Sequence, residues 1–215
     1  MIRRHLGRRD VVVLTVGVLA LVASWVAVSS TTSVPSWEAS LFASINGWPD
    51  GISPLLRAAM QLGSLLGALV VVVVTALVSR SVRLSAAALV ASLVSWYLAK
   101  PVKDVVARGR PATLLSSVHA REHASGLGYP SGHAAVAFSL AAVLAPALPR
   151  RWRPVPWALA VVVALARIYV GAHLPLDVVG GAALGVVVGT LTRWAFGLTG
   201  QPRAASPPVA SDRPG

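Results

Sequence analysis

Long apolar runs separated by short basic loops are the feature that most constrains this chain. The first run, residues 11–30, is long enough to cross a bilayer as a helix. Only 12% of all residues are charged, whereas a soluble domain carries about 25%. We therefore predict an integral membrane protein.

Six such runs are present, and they predict an all-α fold, a six-helix membrane bundle. The bundle domain is expected to span residues 11–197, after a basic N-terminal segment at 1–10. Residues 198–215 are rich in Pro, Ala and Ser, which predicts a disordered tail. The predicted spans are residues 11–30, 57–78, 84–100, 131–148, 155–170 and 176–191.

A short interfacial helix is predicted between spans one and two. Trp37, Leu41 and Ile45 recur at positions i, i+4 and i+8, which is typical of an amphipathic helix lying in the membrane interface. A loop packed on the protein remains an alternative for this segment. On the last span, Gly181, Gly185 and Gly189 favour close packing inside the bundle over a dimer face.

The distribution of basic residues predicts the orientation. With a cytoplasmic N-terminus, 12 of the 19 Lys and Arg residues lie on the inner side and six on the outer side. Both termini are then cytoplasmic, and we expect the protein to lie in the plasma membrane. The net charge of +12 is accounted for by these loops, so we expect no nucleic-acid partner. Five of the six outer charges fall between residues 100 and 121, a concentration that orientation does not explain.

Polar groups at the outer ends of four spans are expected to converge. Ser131 is a good N-cap for span four, and Pro175 suggests the start of span six. Both helix N-termini offer free N–H groups to an anion. The converging residues are Lys103, Arg110, Ser131, Gly132, His133, Arg167, His173 and Asp177.

This combination suits phosphoryl transfer. Three cations and backbone donors match a phosphate whose oxygens gain charge in the transition state. One histidine can attack phosphorus in line while the other protonates the leaving group. A carboxylate near a helix N-terminus, such as Asp177, can fix the tautomer of an imidazole.

Three groups of residues resemble the signature motifs of the type 2 phosphatidic acid phosphatase superfamily. They are Lys103 with Arg110-Pro111, then Pro130-Ser131-Gly132-His133, and Arg167 with His173 and Asp177. The resemblance covers about residues 57–196, with Ala166 where the family often has serine.

The resemblance implies hydrolysis of a lipid phosphate or diphosphate without a metal or other cofactor. The charge distribution places this site on the extracytoplasmic face, and we expect inhibition by vanadate, a mimic of the pentacoordinate phosphorus. The resemblance also implies His173 as the nucleophile, through a phosphohistidine, with Asp177 orienting it and His133 as general acid. The phosphate-binding residues it implies are Lys103, Arg110, Ser131, Gly132 and Arg167.

Several alternatives remain open from the sequence. A transporter of anionic lipid or phosphate needs ionisable groups within its spans, and only Asp177 among the acidic residues borders one. A serine protease that uses Ser131 would leave the three cations without a role. A phosphotransferase of the same family has the same residues as a hydrolase.

The lipid substrate and the oligomeric state are not encoded in any pattern that we can interpret. One loop group is expected to be an ordinary solvated loop, with selection of the headgroup as the alternative. It comprises His119, Arg121, Glu122 and His123.

Overall fold

The computed structural model describes residues 6–31 and 33–199, and within these ranges the regular structure is entirely helical. The fold is therefore the predicted all-α membrane bundle. The N-terminal segment 1–5 and the tail from residue 200 lie outside the described residues, so the predicted disorder of the tail stays a prediction. The α-helices are α1 (Arg8–Ser29), α2 (Ser36–Asn46), α3 (Ser53–Met60), α4 (Leu65–Ser79), α5 (Val82–Val106), α6 (Pro111–Leu114), α7 (Gly132–Leu144), α8 (Pro154–Tyr169) and α9 (Pro175–Ala195).

Three of the described helices, α1, α5 and α9, are each long and apolar enough to cross a membrane. The helical segments Asp50–Gly63 and Leu65–Ser79 form a fourth candidate span if the two are counted together as one bent crossing. Apolar α7 extends to Ala147 through a 3₁₀ turn, and α8 has 16 residues. These six segments correspond to the six predicted spans.

The second predicted span, residues 57–78, is a bent pair of helices and not one continuous helix. The chain bends by 71° between Gly63 and Leu65. Ser64 is extended, and its side chain accepts a hydrogen bond from the Gly67 N–H, so it caps α4 and starts a new helix. A Cβ on Gly67 would lie 1.8 Å from the carbonyl oxygen of Gln61, so only glycine allows this close return of the chain. The bend places Gly63 against α7, where an added Cβ would lie 2.5 Å from the His133 carbonyl oxygen.

Helices α7 and α9 form the centre of the bundle and pack through glycines. A Cβ on Gly181, Gly185 or Gly189 would lie within 2.6 Å of a backbone oxygen of α7 or its N-cap. The glycines of α9 therefore pack inside the bundle, as predicted. Because this contact runs from Ser131 to Ala142, it fixes the start of α7 beside the start of α9.

Helix α2 is present where an interfacial helix was predicted, but it presents a different face to the protein. Trp37 and Leu41 are exposed, whereas Glu38 and Phe42 are fully buried and pack toward the bundle. Of the apolar repeat that predicted the helix, Trp37 and Leu41 therefore lie on its exposed face, whereas Ile45 is buried.

Candidate active site

The start of α9 carries a histidine held between a carboxylate and an arginine. Asp177 Oδ2 accepts a hydrogen bond of 2.9 Å from the Leu174 N–H and lies 3.5 Å from His173 Nδ1. On the other side of the ring, Arg110 Nη1 lies 3.3 Å from His173 Nε2. Since a guanidinium only donates, Nε2 is the acceptor and the ring proton belongs on Nδ1, facing Asp177.

His173 is a neutral imidazole at pH 7. It is 2% exposed and lies in the turn between α8 and α9, and burial lowers its pKa to about 3. Its Nδ1 has no hydrogen-bond partner within ordinary distance, because Asp177 is slightly too far. Such contacts are often long in a free enzyme and shorten when the substrate binds. Nε2 therefore carries the lone pair of the ring, which accepts from Arg110 in the free protein.

Two of the predicted cations are fixed by backbone carbonyls of the loop before α7. Lys103 Nζ donates to the carbonyl oxygens of Leu127 and Gly128 at 2.9 and 3.0 Å. Arg110 Nε donates to the Ser125 oxygen at 3.0 Å. These bonds orient both side chains before any anion arrives, which lowers the cost of ordering them on binding.

The start of α7 is organised as the sequence suggests. Ser131 is the N-cap and accepts, at 3.5 Å, from the Ala134 N–H, while its own N–H donates to the Asp177 carbonyl oxygen at 2.8 Å. His133 stands edge-on to Trp96, with ring centroids 5.7 Å apart. The backbone bond between the two helix starts ties His133 to the same site as His173.

One cavity of about 310 Å³ joins these groups. Ser131 and Asp177 are fully buried and do not line it. Among the described residues, its charged lining side chains are all cations, and they include Lys100, which the sequence did not single out. The predicted residues that line the cavity are Lys103, Arg110, Gly132, His133, Arg167 and His173.

Comparison with known proteins identifies the family to which this chain belongs. Residues 84–200 match the model of the PAP2 superfamily. The chain belongs to the PAP2 superfamily. It is a membrane lipid phosphatase of that family, so the prediction of a phosphoric-ester hydrolase is confirmed.

Two curated PAP2 relatives are similar in sequence. The putative undecaprenyl-diphosphatase YbjG of Escherichia coli is 31% identical over 153 residues, which is 69% of this chain and 77% of that protein. The undecaprenyl-diphosphatase of Sulfolobus acidocaldarius is 32% identical over 111 residues, 49% of this chain and 52% of that protein.

Two solved structures share the fold. Aquifex aeolicus LpxE superposes with a TM-score of 0.67 and 24% identity, covering 75% of this chain and 98% of its own. The PAP2-type phosphatidylglycerolphosphate phosphatase of Bacillus subtilis has a TM-score of 0.64 and 19% identity, covering 86% and 94%.

The third predicted cation of this PAP2 protein, Arg167, is paired with a loop carboxylate. Its Nη1 lies 2.8 Å from Glu122 Oε1 and 3.6 Å from Met60 Sδ, and the residue is only 4% exposed. Its Nε has no partner among the described groups. Glu122 therefore holds Arg167 from behind and leaves donors for an anion in the cavity.

The loop containing Glu122 is not the solvated loop that we expected. The Arg121 side chain is 5% exposed and donates to the carbonyl oxygens of Asn46, Trp48 and Tyr169 at 2.6 to 2.9 Å. Its guanidinium also lies over the Tyr169 ring, 4.0 Å from the centroid. Arg121 therefore joins the loop to α2 and the end of α8, so the expectation was wrong for this residue.

Two charged residues beside the site, Arg108 and Glu38, were not assigned a role in it from the sequence. Arg108 donates to Asp177 Oδ1 at 2.8 Å, and it is also paired with the fully buried Glu38. The available signal was the spacing of Glu38, Phe42 and Ile45 at i, i+4 and i+7, which puts the carboxylate on a buried helical face.

The described residues contain no group of three or more His, Cys, Asp or Glu side chains placed to hold a metal ion. The anion-binding character of the site comes instead from its cations and from two helix N-termini.

Proposed function

We propose that this protein is a lipid diphosphate phosphatase that works through a phosphohistidine on His173. The observation that carries the proposal is the Nε2 lone pair of a neutral histidine, which borders a cavity lined by cations. A nucleophile beside anion-binding groups is the arrangement that in-line displacement at phosphorus requires.

A diphosphate is the favoured substrate for two reasons. The two curated relatives carry the names of undecaprenyl-diphosphatases. In addition, the cavity holds a fourth cation, Lys100, one helical turn from Lys103 on α5. A second phosphate between the catalytic centre and the lipid tail would lie near this lysine.

The first step forms a phosphorus–nitrogen bond and breaks the bond to the leaving oxygen. His173 Nε2 attacks the terminal phosphorus, and the lipid monophosphate departs with a proton from His133, which takes up that proton when the anionic substrate binds beside it. Lys103, Arg110 and Arg167 neutralise the charge that develops on the oxygens. Asp177 stabilises the ring N–H as the imidazole becomes cationic.

The second step returns the enzyme to its starting state. Neutral His133 takes a proton from water, whose oxygen attacks the phosphohistidine. The phosphorus–nitrogen bond breaks, and its electron pair returns to His173 Nε2. Inorganic phosphate leaves, and His133 is again protonated.

The proposed setting is the plasma membrane, with the cavity on the extracytoplasmic face and both termini cytoplasmic. The excess of basic residues at the opposite end of the bundle supports this orientation. We propose residues 11–197 as the catalytic domain.

Phosphate release by the detergent-purified protein tests the proposal. The panel contains a polyprenyl diphosphate, a polyprenyl monophosphate, a phosphatidic acid and a sphingolipid phosphate. We expect the diphosphate to react fastest, with activity retained in a chelator and lost with vanadate. His173→Ala is expected to reduce turnover by a factor of about 10⁴ or more, because the covalent route is removed.

Asp104→Asn is the matched control, since Asp104 is exposed on α5 near the site. Near-native turnover in His173→Ala would refute the nucleophile assignment. A phosphorylated lipid alcohol formed from an added acceptor would show phosphotransfer instead of hydrolysis.

A further inference from the structure

Two fully buried carboxylates share one guanidinium behind the proposed nucleophile. Arg108 Nη2 lies 2.6 Å from Glu38 Oε2, and its Nη1 lies 3.1 Å from Glu38 Oε1. The same Nη1 lies 2.8 Å from Asp177 Oδ1. Glu38 and Asp177 are both 0% exposed. A buried charge needs such partners, so the group is ordered as a unit.

Glu38 also binds the backbone at the first turn of α9. Its Oε1 accepts a 2.8 Å hydrogen bond from the Leu176 N–H, and Asp177 Oδ2 accepts one from the Leu174 N–H. Two carboxylates from different helices thus satisfy free N–H groups of the same helix start. The turn that carries His173 is held by α2 as well as by α9 itself.

The arrangement determines which oxygen of Asp177 faces the histidine. Arg108 occupies Oδ1, which leaves Oδ2 for the Leu174 N–H and for His173 Nδ1 at 3.5 Å. Glu38 limits the effect of Arg108 on Asp177, because the guanidinium charge is divided between two carboxylates. Without Glu38, the full charge would act on Asp177 and weaken its interaction with the imidazolium that forms during attack.

We propose that Glu38 and Arg108 are positioning residues for phosphoryl transfer, acting through Asp177 to orient His173 and stabilise its cationic form. This inference rests on the proposed role of His173 as nucleophile. Neither residue lines the cavity, so neither is expected to bind the phosphate.

Steady-state and rapid-quench kinetics with a polyprenyl diphosphate test the proposal. Glu38→Gln keeps the side-chain size and removes the charge. We expect its kcat and its rate of phosphoenzyme formation to fall roughly 10-fold or more, by analogy with the loss of outer-shell partners that orient metal-bound histidines. KM and the inhibition constant for vanadate should stay within about threefold, because the phosphate-binding groups are intact.

Asp104→Asn is the control for loss of a carboxylate and should retain wild-type kcat. A wild-type kcat in Glu38→Gln would overturn the proposal. So would a parallel loss of kcat and vanadate binding, since that would indicate a collapsed site. If Glu38→Gln does not fold, Glu38→Asp and Arg108→Lys apply the same test with the charge kept, and a folded variant with full kcat would overturn the proposal.

His173→Ala in the same assay separates the two levels of inference. An active His173→Ala protein would refute the proposed nucleophile. An inactive His173→Ala protein together with fully active Glu38→Gln would refute the positioning role alone.

Discussion

The charged side chains of the site divide into those that border the cavity and those that stand behind them. Lys100, Lys103 and Arg110 border it, whereas Asp177 and Glu122 each contact a bordering residue from the far side. Only the bordering group can touch a substrate, so the two groups should differ in which kinetic constant they change. Loss of a bordering cation weakens binding and the transition state, whereas loss of a supporting carboxylate mainly lowers kcat.

Lys100→Gln should lower kcat/KM for a polyprenyl diphosphate roughly 10-fold, because one charge-assisted contact to the second phosphate is lost. The same variant should change kcat/KM for the corresponding monophosphate by less than about twofold. The measurement is phosphate release from both lipids in the same detergent. An equal loss for both lipids would place Lys100 at the reacting phosphate, and no loss for either would remove it from the site.

For individual residues, the sequence predicted the site where those residues form spaced motifs. The positions of Lys103, Arg110, His133, Arg167 and His173 were predicted to converge, and all of them line one cavity. Their chemical roles remain predictions.

The contact between Glu38 and Arg108 follows no such motif, although helical spacing marks the buried face that Glu38 shares with Phe42 and Ile45. Glu38 is a single acidic residue on a short helix, and its partner Arg108 is 70 positions away. A long-range pairing of this kind is a property of the packed bundle and leaves no local spacing.

Among the helices, the contact between α7 and α9 is the one that sets the geometry of the site. It aligns the starts of two helices, one carrying His133 and the other following His173. Gly181, Gly185 and Gly189 allow the two backbones to approach, and any side chain at these positions would separate them.

Gly185→Val should destabilise the bundle by about 1–3 kcal/mol, because a Cβ would lie 2.2 Å from the Ala135 carbonyl oxygen. Thermal unfolding in detergent should show a melting temperature lower by several degrees. Val179→Leu is the control, since Val179 lies on the same helix and is 45% exposed. A melting temperature equal to that of the wild type would show that α9 can shift without cost.

Helix existence was predictable from apolar length, but helix continuity was not. Gly63, before the break, packs directly against the backbone of α7. The break at Ser64 depends on a side-chain cap and on an unusually close return of the backbone. Hydropathy contains neither quantity, because it scores each side chain and not the path of the backbone.

Over the whole molecule, the site and the short basic loops lie at opposite ends. Helix α5 begins after the loop that contains Arg80 and ends near the site with Lys103. Its 25 residues span roughly 37 Å, which is enough to separate the two ends by a bilayer core.

Single cysteines test the orientation, and the wild-type chain, which has none, is a clean background. Ser117→Cys, exposed in the loop between α6 and α7, should react with a membrane-impermeant maleimide on intact cells. Ser79→Cys, exposed at the end of α4, should react only after permeabilisation. A gel shift from a mass-tagged maleimide measures the labelling of both cysteines. The reverse pattern would place the site in the cytoplasm.

The buried inner face of α2 means that the segment matching the PAP2 model, residues 84–200, is not an independent structural unit. That segment begins at residue 84, yet Glu38 satisfies an N–H of α9, Asn46 donates to the Tyr169 oxygen at 2.9 Å, and Gly63 abuts the His133 backbone. A fragment trimmed to residues 84–200 would retain every signature side chain but lose the contacts from α2 and Gly63 that position them.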